Sequence, residues 1–183
     1  KVEIDDQPAT FKLRVEHKIF GSALEIVLPN DKKVDDYFRV HIHYHTTPKS
    51  SALQWLYPSQ TNGKVKPYMF TQCQPIHARS LLPCQDTPMV KVTYDAIISV
   101  PNWATCLMSA LSKPQDYNKP PDFDMEKIND NILKEDGVKI FEFTQPNPIP
   151  SYLMAIAVGE LSSRDLSPRV KVWSEPGMVD EAA

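Results

Sequence analysis

The chain has 183 residues, 42% of them hydrophobic, enough for one domain with a real core. Its formal net charge of -3 and isoelectric point near 6.0 give no general attraction for nucleic acid or anionic membrane, so neither is expected as a partner. No window reaches the roughly 18 apolar residues of a membrane span, and the first residues, KVEIDDQPATFK, lack the apolar core of a signal peptide.

Proline is abundant, with 17 residues, close to twice the usual share of about 5%. Proline removes a donor and breaks helices, so this frequency suits short strands joined by turns. The alternation of apolar and polar residues agrees. Phe11, Leu13 and Val15 alternate with Lys12, Arg14 and Glu16, and a second run follows from Ala23 to Leu28. In a third, Phe38, Val40, Ile42 and Tyr44 face one way while Arg39, His41, His43 and His45 face the other. The longest alternation runs from Val90 to Val100 and predicts a half-buried strand. The acidic, proline-bearing stretch 113–137 reads as an exposed loop with a helical turn near 125–133. Sheet resumes at Ile140-Phe141-Glu142-Phe143, then in a buried strand over 152–158, and ends at Val170, Val172 and Trp173. Residues 175–181 read as a linker. The expectation is one all-β domain over 1–175, with 176–183 as the start of a linker.

Three cysteines, Cys73, Cys84 and Cys106, make no disulfide framework, and no Asn-x-Ser/Thr sequon is present. Both features favour a reducing compartment, so the expected localisation is cytoplasmic. His41, His43 and His45 would share one strand face, but a flat row converges poorly on one tetrahedral ion. Cys73, His77 and Cys84 have no standard zinc spacing, and as a cysteine-histidine nucleophile they carry no stronger signal. No phosphate-binding glycine motif occurs. No metal ligand or catalytic residue is therefore assigned within the chain.

The segment 72–88, QCQPIHARSLLPCQDTP, reads physically as an ordered, turn-rich crossing. Arg79 and Asp86 are placed to pair across it. Gln72 and Gln74, two residues apart, point the same way if the backbone is extended.

That segment closely resembles the gluzincin-type zinc aminopeptidases. Their pattern is Q-x-E-x-x-x-A-R-x-x-x-P-C-x-D-x-P, and every fixed position is matched except that Gln74 replaces the glutamate. Glutamine at that place is similar to the leukotriene A-4 hydrolase and aminopeptidase B branch. Further matching stretches are PKSSALQWL at 48–56, VKVTY at 90–94, LMSA at 107–110 and PIPSYL at 148–153.

The resemblance implies a saddle-like N-terminal domain of mixed and antiparallel sheets, with its first strands lying before Lys1. It further implies packing against the protein's own zinc-bearing catalytic domain and a loop that reaches the active site. Carried over, Gln74 would anchor the free α-amine of a peptide substrate and Gln72 would line the pocket beside it. The branch includes an epoxide hydrolase, so the parent protein is expected to be an aminopeptidase or epoxide hydrolase-like enzyme. Neither H-E-x-x-H nor G-x-M-E-N is present, so no activity is expected of this chain alone, and zinc is expected only in the full-length protein. The alternative is the N-terminal part of an inactive homologue that serves as a protein-interaction module.

Overall fold

A computed structural model describes residues 1–113 and 137–183. The loop and helical turn expected within 113–137 thus fall, apart from the two end residues, outside the described residues. In chain order the strands are Val2–Ile4 (β1), Gln7–Pro8 (β2), Phe11–Leu13 (β3), Leu24–Ile26 (β4), Val40–Ile42 (β5), Leu53–Leu56 (β6) and Tyr68–Thr71 (β7). They continue as Lys91–Pro101 (β8), Thr105–Met108 (β9), Leu111–Ser112 (β10), Val138–Pro150 (β11), Ile156–Gly159 (β12), Ser162–Ser167 (β13) and Val170–Ser174 (β14). The fold is all-β.

Pairing among the described residues is antiparallel throughout, in the orders β2-β1-β5, β10-β11-β8 and β6-β7-β12-β9, with the two ribbons β3-β4 and β13-β14. The longest ladder joins β8 to β11, from Val138 opposite Pro101 to Pro150 opposite Lys91. Its register shifts between Gln145 and Ile149, where Pro146 and Pro148 have no N–H to donate. The main core lies against this ladder. Val100, Ala104, Cys106 and Phe143 are buried, and Ile98, Met108, Phe141 and Val158 pack on them.

The Val90–Val100 alternation therefore becomes a half-buried strand, as its period of two requires. Other stretches depart from expectation. β3 and β4 form, yet Phe11 and Leu13 are 44% and 61% exposed, because alternation buries a face only where another layer covers it. The run 38–45 is strand only over Val40–Ile42, since its partner β1 is three residues long and the ladder ends with it. The stretch 152–158 is not one strand. A 3-10 turn over Ser151–Leu153 precedes β12, held by the Met154 N–H bonding to the Ser151 carbonyl at 3.0 Å.

After β14 the chain folds back on the domain. A short helix, Val179–Ala182 (α1), inserts Val179 at 1% exposure. Asp180 pairs with Arg164 of β13 at 2.6 Å. Glu175 accepts the Asn62 backbone N–H on both carboxylate oxygens, at 2.8 and 2.9 Å.

Candidate functional site: the Gln72–Gln74 loop

The loop starts where β7 ends. The Thr71 hydroxyl receives the Ile156 N–H at 2.8 Å, which fixes the end of β7 against β12. The Gln72 N–H then bonds to the Ala52 carbonyl at 2.8 Å, extending the ladder to β6 by one residue. Cys73 turns inward and is buried with Ala52 and Ala78, and Leu81 packs on the three. Alanine at two of these positions lets the segments 50–53, 71–74 and 77–81 approach closely, where larger side chains would hold them apart.

Because Cys73 points in, its two neighbours point out. Gln72 and Gln74 are both exposed, and Gln74 stands in the turn that follows β7. The Gln72 amide donates to the Gln74 carbonyl at 3.4 Å, and its own oxygen accepts no hydrogen bond among the described residues. The Gln74 carboxamide has no hydrogen-bond partner among the described residues. The Gln74–Pro75 peptide bond is cis. Beyond it, the His77 N–H bonds to the Cys73 carbonyl at 2.8 Å and closes the turn.

Arg79 and Asp86 lock the far side. The Arg79 Nε and the Asp86 carboxylate are 3.0 Å apart, with the Asp86 side chain 3% exposed. The same carboxylate oxygen accepts the Arg79 backbone N–H at 3.1 Å, and the other accepts the Ser151 hydroxyl at 2.6 Å. Burial alone would raise the Asp86 pKa, but the Ser151 and Arg79 donors outweigh it and hold the carboxyl below its ordinary value. The Arg79 guanidinium also lies 5.6 Å from the Phe20 ring centre, which ties the β3-β4 ribbon to the site.

The other sequence candidates fall elsewhere. His41 faces Asp6 at 3.9 Å and His43 faces Glu3 at 3.5 Å, on the rim of the β1-β5 sheet. The His77 ring does not turn to the thiols of Cys73 and Cys84. Its Nδ1 lies 2.7 Å from the Ser51 hydroxyl, while Cys73 is buried and Cys84 is exposed. Among the described residues no three His, Cys, Asp or Glu side chains gather into a metal-holding group. The Ser51–His77 contact is the feature that sequence reasoning missed. The two residues are 26 apart in the chain, and no local pattern joins them.

The Peptidase M1 N-terminal domain family matches residues 1–153. The chain belongs to that family. Among its curated relatives, leukotriene A-4 hydrolase of Xenopus laevis is 43% identical over 180 residues, 98% of this chain and 27% of the relative. Leucine aminopeptidase 2 of Aspergillus niger is 40% identical over 182 residues, again 98% of this chain and 27% of the relative. This M1 N-terminal domain thus spans about a quarter of the length of those relatives. The solved leukotriene A-4 hydrolase of Saccharomyces cerevisiae matches with a TM-score of 0.75 and 37% identity, over 99% of this chain and 24% of that one. An M1 zinc metallopeptidase from Deinococcus radiodurans, 21% identical, shares the fold with a TM-score of 0.63 over 94% of this chain and 35% of that one. Among the described residues no helix is long and apolar enough to cross a membrane.

Proposed function

We propose that this M1 N-terminal domain serves a leukotriene A-4 hydrolase-like zinc metallo-aminopeptidase, and that Gln74 receives the free α-amine of its peptide substrate. The observation that carries the reading is the exposed, unpartnered carboxamide of Gln74 on a loop held by backbone hydrogen bonds on both sides. An ammonium has three donors and no acceptor, so it seeks oxygens, and an amide oxygen meets it without adding charge. Gln72 lies beside it with its amide N–H already committed to the Gln74 carbonyl, so its oxygen is a second acceptor next to the anchor.

Zinc and the bond-breaking step belong to the remainder of the protein, a catalytic domain that is this domain's own partner. A neutral glutamine in place of an acid also tolerates substrates that lack an amine, in keeping with the likeness to an epoxide hydrolase. The three free cysteines suit a reducing compartment, and the cytoplasm is the proposed location.

The test uses the full-length protein and an aminoacyl-anilide substrate. A hydrogen bond to a charged group contributes about 1.5–3 kcal/mol, or roughly ten- to a hundredfold. Gln74→Ala is therefore expected to lower kcat/KM by that factor, mainly through KM. Unchanged kinetics remove Gln74 from the site.

A further inference from the structure

We infer that His77 is a positioning residue for the Gln72–Gln74 loop, acting through the hydroxyl of Ser51. The inference rests on the amine-anchor reading above and extends it from the group that touches the substrate to the group that places it.

The geometry forms a closed circuit. Ser51 is bonded covalently to Ala52, and the Ala52 carbonyl accepts the Gln72 N–H at 2.8 Å. The chain then runs through Cys73 and Gln74 to His77, whose Nδ1 returns to the Ser51 hydroxyl at 2.7 Å. The His77 N–H to the Cys73 carbonyl, also 2.8 Å, braces the circuit internally. Gln74 sits in the middle of this ring, so its carboxamide position depends on both closures. Ser80 steadies the second closure. Its hydroxyl donates to the His77 carbonyl at 2.8 Å and accepts the Ala52 N–H at 2.9 Å.

The Ser51–His77 contact is exposed, and an exposed side-chain hydrogen bond contributes little to folding. The buried trio of Ala52, Cys73 and Ala78 already holds the segments together. Fixing the loop's orientation is what remains for the exposed pair to do. A nucleophilic dyad is the rival reading. It lacks its third member, because the acid of this segment, Asp86, is bound to Arg79 and Ser151. An anchor displaced by a fraction of an ångström loses much of its effect.

The experiment compares inhibition of the full-length protein by leucine hydroxamate and by its desamino counterpart, isocaproic hydroxamate. The ratio of the two inhibition constants reports the amine contact alone. His77→Phe and Ser51→Ala should each shrink that ratio by about tenfold with the melting temperature unchanged. The double variant should be no worse than either single one. His77→Asn, whose carboxamide can set either a donor or an acceptor in the place of Nδ1, should restore the ratio. If Gln74→Ala shrinks the ratio while His77→Phe and Ser51→Ala leave it intact, the positioning role is overturned and the anchor stands. If Gln74→Ala leaves the ratio intact, the anchor falls and the positioning role with it. An equal loss for both inhibitors, or a lowered melting temperature without rescue by asparagine, shows a purely structural contact and also overturns it.

Discussion

Asp86 holds Arg79 from two directions: one carboxylate oxygen takes both the Arg79 side-chain Nε–H and its backbone N–H, at 3.0 and 3.1 Å. The Arg79 side chain answers with a further bond from Nη2 to the Asp86 carbonyl at 3.1 Å. The eight residues 79–86 are thereby closed into one turn after the Gln72–Gln74 loop.

Removing the acid takes the carboxylate from the guanidinium, which keeps only backbone carbonyl partners, and leaves the Ser151 hydroxyl facing a cavity. Breaking a fully buried pair costs about 3–5 kcal/mol. The Arg79 side chain is 30% exposed, and water recovers part of the loss. Asp86→Ala is expected to lower the unfolding free energy by about 2–3 kcal/mol in urea titration. A change below about 0.5 kcal/mol, the size of an ordinary surface substitution, would contradict the geometry.

The same carboxyl gives stability a pH dependence. Its folded pKa lies below the ordinary aspartate value of 3.8, so the unfolded chain takes up the proton first as pH falls. The contribution is fully present above that value and is lost as pH drops through the lower folded value. Measured from about pH 5 to about pH 2, the stability difference between the parent protein and Asp86→Asn should narrow toward the acid end. A constant difference across that range would show that Asp86 is not held ionised by its neighbours.

Gly159 ends β12 directly under an aromatic ring. A Cβ at that position would lie inside van der Waals contact of the Tyr68 ring edge on β7. The ring or the paired backbone must shift to admit it, so Gly159→Ala should destabilise by about 1–3 kcal/mol. Pairing it with Tyr68→Leu should recover part of the loss, and no recovery would place the strain elsewhere.

Thiol chemistry separates the cysteines. Cys106 is buried in the main core, and burial pushes its thiol up to about 12. Cys84 is exposed, yet burial around its sulfur and the charge of Asp86 push it up to about 11. The thiolate is the reactive form, so alkylation of Cys84 near neutral pH should be on the order of a hundredfold slower than that of free cysteine. Mass spectrometry after brief iodoacetamide treatment checks this, and rapid modification of Cys84 would contradict it.

How much of this could be read from the sequence depended on how local the causes were. The eleven residues of β8 announce themselves, because the period of two reflects a backbone geometry that needs no distant partner. The Arg79–Asp86 pair was legible too, because the two lie seven positions apart in one turn-rich segment. Exposure of Phe11 and Leu13 was not, since nothing in an alternating pattern says whether a second layer exists. The split of 152–158 follows from Ser151, whose hydroxyl is drawn to Asp86, a residue 65 positions away. His77 illustrates the limit best. No spacing in the sequence assigned it a partner, and the fold gave it Ser51.

The Glu175 clamp decides where this unit can be cut. A chain shortened to Ser174 loses the carboxylate that receives the Asn62 N–H, and loses the Val179 side chain that fills the pocket beside β13 and β14. The residues that resemble a tether in sequence thus act as a latch, joining the β6–β7 connection to the last hairpin across 113 positions. Freedom of movement relative to any following domain has to begin after that latch, and a swivel engineered between the two should be inserted beyond Ala182.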